Sequence, residues 1–305
     1  MTCPVTSWVT KNSEEGSFFR SQKFTDWPTV KEALIAKEIG GAFILAPMAM
    51  QLAADDVPIK VVHLGHRDGT AIVVRVDSGI RDFADLRGKV IAIPSRYANQ
   101  NILMHRMMKT WGMDFDSMEL REVPPPEHPT ALREGSIDAY IVGEPFAAKA
   151  EVDGFGRVLY HTKDIWEEFI SCVLVVHEDL IEGERELVAE LVDGIAKSGK
   201  WLDEDLEHRM DAAEVAAELY YFQPPELLKY VLSKPVDRVK YTNLAPLEEE
   251  FDEIMNLAVE IGVLSEEIAF SEYADTSFSK PLEELDWDMD RLPPVGGAGT
   301  EETTR

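Results

Sequence analysis

The chain has 305 residues, 45% of them hydrophobic and 29% charged, which is enough for one large core or two smaller ones. Its 57 acidic residues outnumber its 30 basic residues and give a formal net charge of -27 at pH 7. Because nucleic acids and anionic lipids are bound through basic surfaces, this charge argues against both as partners.

Short apolar strands and helices alternate over the first 176 residues. The strands are predicted at residues 2–8, 18–24, 42–46, 60–66, 71–76, 89–93, 119–123, 139–142, 157–160 and 171–176. Helices are predicted between them, at residues 29–39, 47–54, 82–86, 95–112, 129–134 and 146–152. Continuous apolar runs such as AFILA at 42–46 are typical of buried parallel strands. The alternation therefore predicts an α/β fold with a parallel sheet.

The character of the chain changes after residue 179. Helical periodicity with acidic outer faces occupies residues 184–206, 210–221, 225–233 and 246–261, separated by glycine and proline. This pattern predicts a helical C-terminal third. Residues 281–305 lack periodicity and are rich in acidic residues, glycine and proline, so we expect a mobile tail there.

No catalytic motif stands out in the sequence. There is no GxGxxG, P-loop, GxSxG or HExxH pattern, and no two histidines have the i, i+4 spacing of a helical metal site. We therefore predict no catalytic residues, no metal site and no cofactor. Cys3 and Cys172 lack the spacing of a metal motif, and the sequence leaves open whether they form a disulfide.

A buried strand, a small or polar residue and a helix start follow one another three times, at residues 46–47, 94–97 and 143–145. Carboxyl ends of parallel strands meet at one edge of a sheet, so we expect these turns to line a cleft. Ser95 is predicted to cap the following helix. Arg96 would then lie at a helix N-terminus, which favours an anionic or polar group, and Tyr97 would add an aromatic wall.

Four segments of the chain resemble the solute-binding proteins of ABC importers. The segments are AFILAPMAM at 42–50, VVHLGHRDGTAIVV at 61–74, the stretch from FADLRGK to TWGM at 83–113, and the stretch from LREGSIDA to KDIW at 132–166. The LRGK element and the later GEPF element follow the order typical of the NMT1-like class. That class takes up nitrate, taurine, aliphatic sulfonates and thiamine precursors.

The resemblance implies a type II periplasmic binding protein fold, an α/β clamshell of two lobes with a helical C-terminal third. One lobe would comprise residues 1–86 and 172–280, and the other residues 87–171, followed by the tail at 281–305. The chain would cross between the lobes near residues 81–87 and 169–172. Ligand would lie between the lobes and close them by a hinge motion.

The resemblance also implies the ligand contacts. They are Thr6, Ser7 and Trp8 after the first strand, Pro47, the turn residues Asp68, Gly69 and Thr70, and in the second lobe Ser95, Arg96, Tyr97, Gly143 and Glu144. One departure concerns the first two strands. Only residues 9–17 separate them, fewer than the roughly dozen residues that a parallel crossover needs, so we expect this region to be rebuilt.

The resemblance implies a monomer that delivers a nitrate-like, sulfonate-like or pyrimidine-precursor-like solute to the transmembrane subunits of an ABC permease. The protein would be periplasmic if a signal has been removed. The N-terminus has no basic segment followed by an apolar one, which is typical of a cytoplasmic protein if Met1 is the true start. A cytoplasmic enzyme of menaquinone or thiamine-pyrimidine biosynthesis on the same fold, or a ligand-sensing module, therefore remain alternatives.

Overall fold

The computed structural model describes residue 6, residues 19–217 and residues 223–285. The strands are β1 (Gly41–Ile44), β2 (Ile59–Asp68), β3 (Thr70–Arg75), β4 (Val90–Ile93), β5 (Glu119–Glu122), β6 (Ala139–Gly143), β7 (Gly156–His161), β8 (Ile170–His177) and β9 (Val239–Lys240). The α-helices are α1 (Trp27–Ile35), α2 (Ala46–Ala54), α3 (Asn99–Thr110), α4 (His128–Glu134), α5 (Phe146–Val152), α6 (Glu178–Gly183), α7 (Arg185–Glu204), α8 (Leu206–Ala216), α9 (Pro225–Ser233), α10 (Glu248–Glu260) and α11 (Phe270–Tyr273).

These strands form two separate sheets. The first sheet has the order β1-β8-β2-β9, and the strand pairs given for it are antiparallel. The second sheet has the order β5-β4-β6-β3-β7. In it β4 runs parallel to β5 and β6, whereas β3 is antiparallel to β6 and β7. The α/β class predicted from the sequence is confirmed, but the predicted parallel sheet is wrong. The pairs of the first sheet are antiparallel and the second sheet is mixed, because neighbouring strands enter from opposite ends.

The chain moves from one sheet to the other at a single residue. β2 ends at Asp68 in the first sheet, and β3 begins at Thr70 in the second. Gly69 between them has a φ of 68°, in the left-handed region that glycine adopts without strain. The chain returns between β7 and β8. The lobe boundaries given above stay a prediction. They assign residues 70–75 to the first lobe, whereas β3, which these residues form, pairs with β6 and β7 of the second sheet.

Each sheet carries its own apolar core. On one face of the first sheet, Val61 and Val173 pack with Phe251 of α10. Apolar residues of α2, such as Met50, belong to the same cluster. In the second sheet, Ile91 and its neighbours pack against α3, which contributes Met104 and other apolar residues. The C-terminal helices α8 and α9 form a further cluster that includes Ala148 of α5. The helical C-terminal part therefore contacts the second sheet's layer as well as the first.

Several predicted elements differ from the structure. Residues 19–24 of the predicted second strand form no regular element, although Phe24 packs against the core of the first sheet. The predicted strand at 2–8 lies outside the described residues except for Thr6, which is helical. Helix α1 begins at Trp27 rather than at 29, because the side chain of Asp26 accepts the N–H of Thr29 at 2.9 Å and caps it.

The tail predicted at 281–305 also lies mostly outside the described residues. Within residues 281–285, Leu285 is buried. No α-helix in the described ranges combines the length and apolar character needed to cross a bilayer.

Candidate ligand-binding site

The turn between β2 and β3 is hydrogen bonded to two other parts of the chain. The backbone N–H of Asp68 donates to the carbonyl oxygen of Phe169 at 2.8 Å, and the N–H of Gly69 donates to that of Arg238 at 2.8 Å. Phe169 directly precedes β8, and Arg238 directly precedes β9. The turn is therefore tied to the points where both of these strands enter the first sheet.

Asp68 is a fully buried residue at this turn, with an exposed fraction of 0%. Its Oδ2 lies 3.4 Å from Nζ of Lys240, which also contacts Oε1 of Glu168 at 2.8 Å. Burial raises the pKa of Asp68 to about 6, although the charge of Lys240 acts in the opposite direction. Asp68 and Lys240 place one negative and one positive group where the two sheets join.

Thr70 and Gly143 face each other across the β3–β6 pair, as directly paired residues. The side chain of Thr70 accepts a hydrogen bond from Nε2 of Gln100 at 3.2 Å, and its carbonyl oxygen accepts one from Oγ1 of Thr162 at 3.1 Å. The N–H of Glu144 donates to the carbonyl oxygen of Gly69 at 2.8 Å. The structure thus brings together the predicted residues at 68–70 and 143–144.

The start of α3 differs from the prediction. Ser95 does not cap the helix, because residues 95–98 first form a turn in which the N–H of Ala98 donates to the carbonyl oxygen of Ser95 at 3.1 Å. The Oγ of Ser95 instead accepts the N–H of Tyr97 at 3.2 Å. The helix begins at Asn99. The first N–H groups of the helix therefore belong to later residues than predicted, and that of Asn101 donates to the carbonyl oxygen of Ala98 at 2.9 Å.

Three buried amide side chains open α3, and sequence reasoning missed all three. Asn99 donates to the carbonyl oxygen of Ile170 at 2.5 Å, Gln100 to Thr70 as described, and Asn101 to the carbonyl oxygen of Arg96 at 2.8 Å. Within the described residues, the Oδ1 of Asn99 and the Oε1 of Gln100 have no hydrogen-bond partner. Buried acceptors without partners are costly, so they are candidate ligand contacts. The run NQN itself was the signal in the sequence.

Arg96 is exposed, and its guanidinium contacts Gly262 and Tyr97. Its Nη2 donates to the carbonyl oxygen of Gly262 at 3.4 Å, and its guanidinium lies 5.2 Å from the ring centre of Tyr97. Tyr97 packs against the core of the first sheet. These two predicted residues therefore join the second sheet's layer to the first sheet's layer.

Glu144 is also buried, and both of its carboxylate oxygens are engaged. Oε1 accepts from Nη1 of Arg238 at 2.9 Å, and Oε2 accepts from the N–H of Ala148 at 2.9 Å. Arg238 makes a second ion pair of 2.9 Å with Glu151 of α5. Burial raises the pKa of Glu144 to about 7, with Arg238 acting in the opposite direction. The contacts of Glu144 are those of a structural ion pair.

The remaining predicted residues lie elsewhere in the fold or outside its described part. Thr6 donates to the carbonyl oxygen of Gly194 at 3.1 Å and lies 2.8 Å from Oγ of Ser198, both on α7. Pro47 is buried in the first turn of α2. Ser7 and Trp8 lie outside the described residues.

His63, His66 and Cys172 lie in the packed interior of the first sheet's layer. Burial lowers the pKa of His63 and of His66 to about 4, so both are neutral at pH 7. Cys172 is a free thiol that packs against Gly65, and Cys3 lies outside the described residues. In the part of the chain that the structure covers, no three His, Cys, Asp or Glu residues are grouped to hold a metal ion.

Comparison with known proteins gives a consistent set of matches. The sequence model of the NMT1-like family matches residues 10–217. The nitrate/nitrite binding protein NrtA of Nostoc is 22% identical over 239 residues, covering 69% of this chain. The taurine-binding periplasmic protein of Escherichia coli is 29% identical over 178 residues, covering 57% of this chain. The match spans 54% of the length of each relative.

Solved structures show the same architecture. The ligand-binding component of an ABC-type import system from Staphylococcus aureus, solved with zinc bound, superposes with a TM-score of 0.82 at 23% sequence identity. The superposition covers 93% of this chain and 94% of the other. The two-sheet α/β fold is therefore that of a periplasmic binding protein, as the sequence analysis predicted.

Proposed function

The chain belongs to the NMT1-like family, and from this premise we propose that it binds a small polar or anionic solute and delivers it to an ABC importer. The relatives named above bind nitrate, nitrite or taurine, according to their names. Both are called binding proteins, which supports a binding role for this chain rather than an enzymatic one.

The observation that carries the proposal is the position of Gln100. This residue lies in the first turn of α3, in the layer of the second sheet, and bonds to Thr70 beside the turn that joins the two sheets. It is 3% exposed, and its Oε1 has no hydrogen-bond partner in the part of the chain that the structure describes. The amide of Gln100 is buried at the junction of the two sheets, and only its nitrogen is hydrogen bonded. Such a group is suited to a ligand that forms further hydrogen bonds with the amide.

We place the solute between two lobes, each built around one sheet. The chain would cross between them at Gly69 and again between β7 and β8. Two ion pairs join α3 to α10 across these layers, Arg106 to Glu253 at 3.0 Å and Lys109 to Glu260 at 2.8 Å. Such contacts support a closed arrangement that opens by a hinge at the turn.

The chemistry at the start of α3 favours a small polar or anionic solute. Nε2 of Gln100 carries a second N–H besides the one that it donates to Thr70, and the N-terminal end of a helix carries partial positive charge. A nitrate-like, sulfonate-like or pyrimidine-precursor-like solute would suit these donors. The proposal includes a monomer that acts outside the cytoplasm and meets the membrane subunits of an ABC permease.

The test is to identify the solute directly. Mass spectrometry of small molecules released from the purified full chain should reveal a polar or anionic compound. Calorimetric titration with nitrate, taurine and ethanesulfonate should show saturable binding of at least one of them. Prolonged incubation should leave the bound compound chemically unchanged, and conversion to a product would establish an enzyme instead. No released compound and no binding across the panel would reject the proposal.

A further inference from the structure

A cavity of about 70 Å³ lies between the segment that precedes β8 and helix α10. Its lining contains four carboxylates and no basic residue. The lining residues are Asn99, Trp166, Glu167, Glu168, Phe169, Ile170, Glu250, Glu253 and Ile254. One water molecule needs roughly 10 to 15 Å³ of such space, so the cavity has room for a molecule of a few non-hydrogen atoms.

Three of the four carboxylates already have cationic partners. Glu168 pairs with Lys240 at 2.8 Å, and Glu253 pairs with Arg106 at 3.0 Å. Glu250 pairs with the buried guanidinium of Arg67 at 2.9 Å.

The fourth carboxylate, Glu167, makes no ion pair with any residue in the described ranges. Glu167 is solvent-exposed, and with it the lining residues and their partners carry one negative charge in excess. Lys240 also pairs with Asp68 at 3.4 Å, so its one positive charge faces two carboxylates and the local net charge is more negative.

Asn99 supplies an independent sign of a missing partner. The residue is 1% exposed and lines the cavity. Its amide nitrogen donates to the carbonyl oxygen of Ile170, whereas its Oδ1 has no hydrogen-bond partner among residues 6, 19–217 and 223–285. A buried amide oxygen without a hydrogen bond costs free energy that a donor from a ligand would recover.

We propose that this cavity binds a small organic cation with a primary ammonium group. The ammonium donates hydrogen bonds to the carboxylate of Glu167 and to Oδ1 of Asn99, and its charge neutralises the excess carboxylate. Its carbon part contacts Phe169, Ile170 and Ile254. A bare metal ion fits less well, since the described residues offer no group of three metal-ligating side chains.

This subsite differs from the solute site of the preceding subsection. Gln100 bonds to Thr70, whereas its neighbour Asn99 bonds to Ile170 and lines the cavity. The inference does not depend on the proposed transport role, because the test below uses no anionic solute.

The experiment is a titration of the full chain with ethylammonium chloride. Binding is measured by calorimetry and by the change in melting temperature. Tetramethylammonium chloride and sodium chloride at the same concentration are the controls, because neither cation can donate an N–H hydrogen bond. We expect ethylammonium to raise the melting temperature more than both salts. An equal response to all three salts would overturn the proposal.

Variants then locate the binding. Glu167→Gln should raise the Kd for ethylammonium at least fivefold, whereas Glu182→Gln, a change at an exposed glutamate of α6, should leave it within twofold. Glu167→Lys supplies a tethered ammonium, so it should fold normally and abolish the response to ethylammonium. A change of less than fivefold in Glu167→Gln, or an undiminished response in Glu167→Lys, would place the cation elsewhere and reject the subsite.

Discussion

The carboxylate of Glu144 and the guanidinium of Arg238 form an ion pair of 2.9 Å between two side chains that are 6% and 2% exposed. They are 94 residues apart in the sequence. The pair joins the end of β6 to the segment before β9, and so connects the second sheet to the chain entering the first. A buried pair of this kind is costly to break, because the remaining charge stays in a poorly solvated place.

We expect Arg238→Met to lower the free energy of unfolding by about 3–5 kcal/mol, since it leaves Glu144 buried without its partner. Urea denaturation measures the effect. The double variant Glu144→Gln with Arg238→Met should recover a large part of the loss. The control is Lys109→Met, which removes an exposed pair with Glu260 and should cost less than about 1 kcal/mol. Equal losses in both single variants would contradict the interpretation.

The raised pKa of Asp68 predicts a pH dependence of stability. The folded state holds this proton up to about pH 6, whereas the unfolded chain releases it near pH 3.8. Between these values the folded state binds more protons, so the contribution of Asp68 is full below pH 3.8 and is lost as the pH rises to about 6.

Asp68→Asn removes this contribution while keeping a similar side-chain shape. Relative to the variant, the native protein should therefore lose on the order of 2 kcal/mol of stability between pH 4 and pH 7. Urea midpoints at these two pH values give the difference. Asp77→Asn is a control at an exposed carboxyl whose pKa is lowered by Arg75. A constant difference between native protein and Asp68→Asn across the range would argue against a raised pKa.

Gln100→Leu tests the proposed solute site. The change removes the bond to Thr70 and also the buried oxygen that lacks a partner, so stability should change by less than about 1 kcal/mol. Affinity for the identified solute should fall at least tenfold in calorimetry. Gln51→Leu is the matched control, since Gln51 bonds to Asp55 at the exposed end of α2. Retained affinity in Gln100→Leu would remove this residue from the site.

Gly65 tests the packing of the first sheet. A Cβ at this position would lie 2.3 Å from Sγ of Cys172 and 3.0 Å from the ring of Phe43. Gly65→Ala should therefore lower the free energy of unfolding by about 1–3 kcal/mol through overpacking. A Cβ at Gly183 meets no atom of the described residues within 4 Å, so Gly183→Ala should have little effect. Thermal unfolding compares the two, and a neutral Gly65→Ala would show that the sheet adapts.

Elements that consist of continuous apolar runs were predicted best from the sequence. The strands at 42–46 and 89–93 were placed within one or two residues of their observed bounds, because runs such as VIAI leave few alternatives to a buried strand. The strand at 18–24 was wrong. In residues 19–24, Phe24 contacts the core of the first sheet, but the segment pairs with no described strand.

The candidate site was only partly accessible from the sequence. The turn at Asp68–Thr70 and the residue Gly143 were named through family resemblance, and the structure shows them as neighbours. The start of α3 was misplaced by four residues, because the hydroxyl of Ser95 satisfies its own turn instead of capping the helix. The partnership of Glu144 with Arg238 had no signal in a single sequence, since no local pattern links residues so far apart.

The way the strands are divided between the sheets also bears on synthesis. The second sheet uses only strands between residues 70 and 161, whereas the first sheet needs β8 and β9, which the ribosome makes later. We expect the second sheet to become protease-resistant on nascent chains that end near residue 200, while β1 and β2 still lack their main partner. Proteolysis of stalled chains of increasing length would detect that order, and simultaneous protection of both sheets would exclude it.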